Sequence, residues 1–451
     1  MRRPGEARRS PELPRDMIGP GAVLFAASLI ILAIVYTVYA KRLWAMLDLQ
    51  VYHWGGGLAA RNPNDLYARL FPGWDLYFTY PPIAAAVFAL TAPLALPVLK
   101  WLVTIASVTA LVTAIWLTWG ALGYRRSAGR LGATLAVAGV ALWLEPVQQT
   151  LQFGQVNLVL MLIILADLCL PDSKRYKGIG VGLAAGFKLT PLIFVVYLLL
   201  TRRFRAAAVS AGTFLATVAA SAALLPSAFR RYWLGRLFLN PRVGNTAYVG
   251  NQSLHGLAER LLGSGPAAQH AWLISALVVG AVGLLLAAAA SQRGHEMLGV
   301  LTCALTGLLV SPVSWSHHWV WAAPALVVGC DAAMRMRPNR QGASGAARRS
   351  WQRWTGWAGV LAGTALLFAY PLSMNKGVPG GPLVPQGLIW TVTAPAVEGT
   401  GAHGIQLLTG NLYVFAGLTG LLVGAVAWSV HRRHEPSVPR RPRRAAITGT
   451  A

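Results

Sequence analysis

From Met17 to Ala40 the chain runs 24 positions without one charged side chain. A helix rises 1.5 Å per residue, so about 20 apolar residues span a hydrocarbon core of ~30 Å. Comparable apolar runs recur along most of the 451 residues, and 55% of the chain is hydrophobic against 12% charged. Inside a bilayer every backbone N–H and C=O needs an internal partner, which leaves helices and closed barrels. No 10-residue segments of alternating polarity suggest a barrel. The expected fold is therefore all-α, a polytopic integral membrane bundle of about 10–12 transmembrane or half-membrane helices.

The net charge of +25 comes from 39 Lys and Arg against 14 Asp and Glu. Basic residues flank the apolar runs and fill both tails, as expected for cytoplasmic loops, so the charge does not point to nucleic acid. This bias predicts a cytoplasmic basic tail at 1–16, a membrane domain at 17–431 and a second cytoplasmic tail at 432–451. External segments are expected at 41–79, 146–157, 226–267 and 374–407. Residues 80–123 hold two apolar stretches broken at Pro97, of which one should be short or re-entrant. Residues 178–201 should form two half-helices meeting near Lys188 and Pro191. Cys169, Cys303 and Cys330 lie in apolar segments and imply no disulfide framework.

The polar motifs fall on the face assigned as external. Asp48-Leu-Gln-Val-Tyr52 follows the first span, then Asn64-Asp-Leu-Tyr67 and Phe78-Thr-Tyr80-Pro-Pro82. Asp48 suits a general base at the membrane surface, or simply a helix cap. Asp65 and Asp75 sit in turn-like sequence. Gln155 and Asn157 offer side-chain amides suited to sugar hydroxyls, or to capping. Lys188 is the sole Lys or Arg well inside an apolar run, and intramembrane charges usually mark function. Asn251-Gln252-Ser253 lies in the long loop. Ser314-Trp-Ser-His317-His318-Trp319 ends an outward span, and adjacent histidines are badly spaced to chelate one metal, so no metal site is expected.

In this order the motifs resemble actinobacterial family 87 glycosyltransferases, which are GT-C-type, polyprenyl-phosphate-mannose-dependent α-mannosyltransferases. The matching elements are Asp-x-x-Val-Tyr, Asn-x-x-Tyr, Phe-Thr-Tyr-Pro-Pro, Gly-Gln-Val-Asn, Gly-x-Lys-Leu-Thr-Pro, Asn-Gln-Ser and Ser-x-x-Ser-Trp-x-His-His. The resemblance implies an active site on the periplasmic side of the plasma membrane, with Asp48 as catalytic base. The lipid-phosphate leaving group would meet Lys188, His317 and His318. Tyr52, Tyr80, Gln155, Asn157, Asn251 and Gln252 become candidate sugar or acceptor contacts. A polyprenyl-phosphate-mannose donor and a mannosylated glycolipid acceptor are the implied partners of a monomer with no cofactor. An α-1,2 linkage is favoured. Another GT-C specificity (arabinosyl or α-1,6-mannosyl transfer) and a lipid-linked sugar flippase remain the alternatives, the flippase requiring ionisable residues near the midplane and inverted repeats.

Overall fold

The computed structural model describes residues 11–236, 244–335, 344–373, 383–400 and 403–434. It is an all-α membrane bundle, as composition requires. Helix α1 (Ile18–Val38) is the first apolar span. The first half of the expected external segment is not a loop but helix α2 (Leu47–Arg61). Of the two stretches within 80–123, α3 (Pro82–Ala89) is too short to cross and α4 (Leu96–Ala121) is long enough.

Helix α5 (Ala128–Ala141) follows. Residues 146–157 are largely helical, with α6 (Glu145–Phe153) turning by 117° into α7 (Asn157–Leu168). Pro146 is allowed because it lies at the start of the helix, where its missing N–H costs nothing. Gly154, at φ 67°, ends α6 in the left-handed region that glycine adopts freely. The expected pair of half-helices is present as α8 (Ile179–Phe187) and α9 (Ile193–Leu200), with Lys188 extended between them.

Helices α10 (Phe204–Leu224), α11 (Pro226–Arg231), α12 (Leu254–Leu262), α13 (Pro266–Gln292) and α14 (Glu296–Val310) follow. A 3-10 turn over Ser316–Trp321 runs into α15 (Ala322–Arg335), then come α16 (Ser344–Leu367) and α17 (Leu412–His434). After α16, Tyr370–Ser373 is a strand, β1, paired antiparallel with β2 (Leu383–Gln386). Parts of the predicted tails and external segments (1–10, 237–243, 374–382, 401–402 and 435–451) lie outside the described residues. Among those described, four helices are long and apolar enough to cross a membrane, or five if the bent pair counts as one span.

Lipid tails are as apolar as leucine, so such helices associate by close packing and polar contacts rather than by hydrophobic transfer. Small residues set the closest approaches. A Cβ on Gly21 of α1 would strike the Gly132 carbonyl of α5. One on Gly182 or Gly186 of α8 would strike Thr213 or Thr217 of α10. The N-terminus of α8 is held from α7 by Asp167, whose carboxylate accepts the Gly178 and Val181 N–H groups at 2.8–3.0 Å. At the same end of the bundle, Arg203 grips Glu296 through two bonds of 2.6 and 2.7 Å.

These contacts fix the direction in which the α8–α9 break presents Lys188. Gly186→Leu should overpack the α8–α10 contact, costing about 1–3 kcal/mol and lowering the thermal midpoint of the purified protein. Gly212→Leu is the control, since nothing lies within 4 Å of its added Cβ.

Candidate active site

Asp48 occupies the first turn of α2, directly after Met46, a non-glycine residue held at φ 50°. Such a backbone persists only where packing over-determines it, and Met46 is buried with Leu49 in the core beneath the site. Two glycines bring α2 against its neighbours. A Cβ on Gly55 would meet the Phe78 ring, and one on Gly56 would meet the Phe88 carbonyl of α3. From the other side, the Gly154 turn rests on Leu49. That contact delivers Gln155 to Asp48, and the Gln155 amide donates to the carboxylate.

The array continues from Gln155. Its Oε1 accepts the Tyr80 hydroxyl at 3.0 Å, and Tyr80 accepts from Tyr52 at 3.1 Å. Tyr67 donates to the Tyr80 carbonyl at 2.7 Å. The Lys188 ammonium stands 5.5 Å from the centroid of the Tyr80 ring. It also donates to Asn157 Oδ1 at 3.0 Å and lies 2.9 Å from His318 Nε2. Among the described residues no carboxylate forms an ion pair with Lys188. A half-buried carboxylate and a half-buried ammonium thus stand at the two ends of one polar array whose interior members, Tyr52, Tyr80, Gln155 and Asn157, are buried.

The two histidines separate cleanly. His318 points its ring at Lys188. The His317 carbonyl accepts from Asn157 at 2.9 Å and from Thr150 at 3.1 Å, tying the turn to α6 and α7. Its ring packs between Phe153 and His318, and its buried Nε2 has no partner within the described chain. Burial raises the Asp48 carboxyl to about 6, while the Gln155 hydrogen bond and the Lys188 charge act in the opposite direction. No group of three or more His, Cys, Asp or Glu that could hold a metal occurs among the described residues.

Asn251 and Gln252 do not join this array. Both are fully buried. Asn251 donates to the Thr246 and Pro312 carbonyls and accepts from Ser314 N at 2.9 Å. Gln252 donates to Val249 and Gly410 and accepts from Tyr413 N. With these bonds made, neither amide has a free donor for a sugar. They act instead as joints that seat the segment leading to His317.

Glu145 escaped the sequence reading. It is wholly buried, and it accepts Trp390 Nε1 at 2.9 Å and the Tyr413 hydroxyl at 2.7 Å. The carboxylate therefore pins the C-terminal third of the chain to α6. The sequence signal was slight: an acidic residue before proline at a helix start.

The architecture is that of a multi-pass membrane protein whose site pairs a carboxylate with a lysine–histidine cluster. Residues 78–312 match the family described as glycosyltransferase family 87. A Mycobacterium tuberculosis protein named polyprenol-phosphate-mannose-dependent alpha-(1-2)-phosphatidylinositol pentamannoside mannosyltransferase is 36% identical over 344 residues, covering 73% of this chain and 78% of that protein. A second from M. tuberculosis, named for a phosphatidylinositol mannoside acceptor, is 34% identical and covers 61% and 65%. Its Mycolicibacterium smegmatis namesake is 36% identical and covers 64% and 71%. No solved structure matches. The chain belongs to glycosyltransferase family 87. Tyr80, Gln155, Asn157 and Lys188 fall inside the matched segment, whereas Asp48 and the two histidines flank it.

Asn251→Ala should leave buried groups on Thr246, Pro312 and Ser314 unpaired, at about 1–3 kcal/mol for each unsatisfied group. The expected result is a lower thermal midpoint with unchanged KM for acceptor in the surviving folded enzyme. A raised acceptor KM at unchanged stability would restore a sugar-binding role.

Proposed function

We propose that this chain is an inverting mannosyltransferase that moves mannose from polyprenol-phosphate-mannose to a phosphatidylinositol mannoside or related glycolipid, forming an α-1,2 linkage. The observation that carries the reading is the polar array itself, with a carboxylate at one end and a lysine–histidine pair at the other. The names of the relatives support the donor, acceptor and linkage.

In this mechanism Asp48 takes the proton from an acceptor hydroxyl as its oxygen attacks C1 of a β-linked mannosyl phosphate. The C1–O bond to phosphate breaks on the opposite face, giving an α-mannoside and polyprenyl phosphate. Lys188 and His318 meet the charge that grows on the leaving phosphate, the kind of electrostatic stabilisation that commonly dominates. Gln155 orients the base. Among the described residues no carboxylate lies within ion-pair distance of Lys188, and Asp48 acts on it only from farther off, so a bound phosphate is a fitting counter-ion at its position.

We further propose a monomer in the bacterial plasma membrane with both basic termini cytoplasmic and Asp48 on the periplasmic side. The lipid-linked donor accords with that placement, since cytoplasmic sugar nucleotides do not reach it.

Asp48→Asn keeps the shape and removes the base. Mannosyl transfer by the purified variant should fall at least ~10²-fold with stability maintained. Residual activity above about a tenth would exclude Asp48 as the base. The raised carboxyl also fixes the pH response. The carboxylate form is required, so kcat/KM should fall about tenfold per unit as the pH drops below about 6. An acid limb centred near 4, the range of an ordinary carboxylate, would contradict a buried base.

Topology is tested by an impermeant thiol reagent on intact cells, with single cysteines on a Cys-free background. A probe at position 65 should label and one at 435 should not; the reverse pattern would invert the assignment.

A further inference from the structure

A groove of about 650 Å³ lies among α13, α14, α15 and α17, lined almost wholly by apolar side chains. It abuts the site. A smaller cavity of about 60 Å³, bounded by Asn157, Lys188 and His318, shares Leu308 and Trp321 with it. From Leu308 the groove follows α14 to Leu298, ten residues or about 15 Å of helix. Gly417, Gly420 and Gly424 of α17 line its far wall. They sit at i, i+3 and i+7, one face of a helix. A Cβ on Gly420 would come no nearer than 3.7 Å to Leu305, and one on Gly424 would meet nothing within 4 Å. Gly420 and Gly424 therefore leave space that no other side chain of the described residues fills, whereas Gly417 is packed closely against Leu305, Leu309 and Trp319.

We infer that this groove holds the isoprenoid tail of the donor, with its phosphate at Lys188 and His318. The inference rests on the mannosyltransferase reading and adds to it the location of the tail. A cationic and hydrogen-bonding end opening onto a long apolar channel matches an amphiphile with one anionic head and a single hydrocarbon chain. Inside the bilayer such a chain is held by close packing along the groove, not by transfer out of water. The acceptor's acyl chains are the poorer occupant. The acceptor hydroxyl must reach Asp48 on α2, and no residue of α2 or α3 lines either cavity.

The test compares mannosyl phosphate carried on an undecaprenyl chain with the same head on a geranyl chain. Wild-type KM should be at least about tenfold lower for the long donor. Gly420→Leu with Gly424→Leu, which projects two side chains into the groove, should abolish that preference. The preference is read from the ratio of the two KM values, and a thermal midpoint near that of wild type reports a folded enzyme. An unchanged chain-length preference, or a raised KM for the acceptor alone, would overturn the assignment. If the double variant is inactive with both donors, wild-type protein is photolabelled with a diazirine-tagged undecaprenyl phosphate. Label within 298–308 or 417–424 supports the groove, and label confined elsewhere refutes it. Wild-type enzyme that transfers mannose from neither donor would remove the mannosyltransferase reading itself.

Discussion

The structure turns on the contact between the Gly154 turn and the first turn of α2. Two helices far apart in sequence, α2 and α6, meet there because Gly154 adopts a left-handed conformation and carries no side chain. A Cβ at that position would strike Leu49, and the backbone would be strained as well. The outcome is one hydrogen bond, Gln155 to Asp48, across 107 residues. Through Tyr80 the same amide reaches the Lys188 ammonium, so the carboxylate and the cation are held in one frame rather than on independent loops. The strained Met46 and the three contacts made by Gly55, Gly56 and Gly154 are the local costs of that frame.

Charge economy explains the rest of the site. With few carboxylates in the chain, several that are buried or half-buried have identifiable jobs. Asp167 caps α8, Glu296 pairs with Arg203, and Glu145 binds Trp390 and Tyr413. Lys188 has none of these for a partner. Its hydrogen bonds run to a neutral amide and a histidine, which leaves its charge available to a ligand. Were it paired internally, it would be a structural residue of the kind seen in Arg203. Half-buried Asp65 and exposed Asp75 stand apart from this set, and Asp65 is engaged locally by Asn62 and Arg69.

Much of this was legible in the sequence, because membrane solvent imposes strong patterns. Apolar run length gave the helices, and the Lys188–Pro191 sequence gave the break between α8 and α9. Asp48, Lys188, Tyr52, Tyr80, Gln155, Asn157 and His318 were each singled out and do assemble. Five things were not readable. The polar Gln-rich stretch 146–157 looked like a loop, yet it is a helix because tertiary contacts on α7 and the 316–321 turn bury its amides. Asn251 and Gln252 had the right chemistry for sugar, but amides serve equally well as backbone joints, and only burial tells the two apart. Adjacent histidines could not be ranked, since their separation depends on a 3-10 turn whose geometry is not encoded in spacing. The paired strands Tyr370–Ser373 and Leu383–Gln386 had no periodic signal at all, and Glu145 became meaningful only when Trp390 and Tyr413 came to it from the far end of the chain.

The central claim is that one array carries base and leaving-group site at opposite ends. A structure of the protein with a non-hydrolysable polyprenyl-phosphate-mannose analogue tests it most directly. The account predicts a phosphate within hydrogen-bond distance of Lys188 Nζ and His318 Nε2, with the Asp48 carboxylate facing C1 from the side away from the phosphate. A phosphate bound elsewhere, or Asp48 on the same face of the sugar as the leaving group, would contradict it.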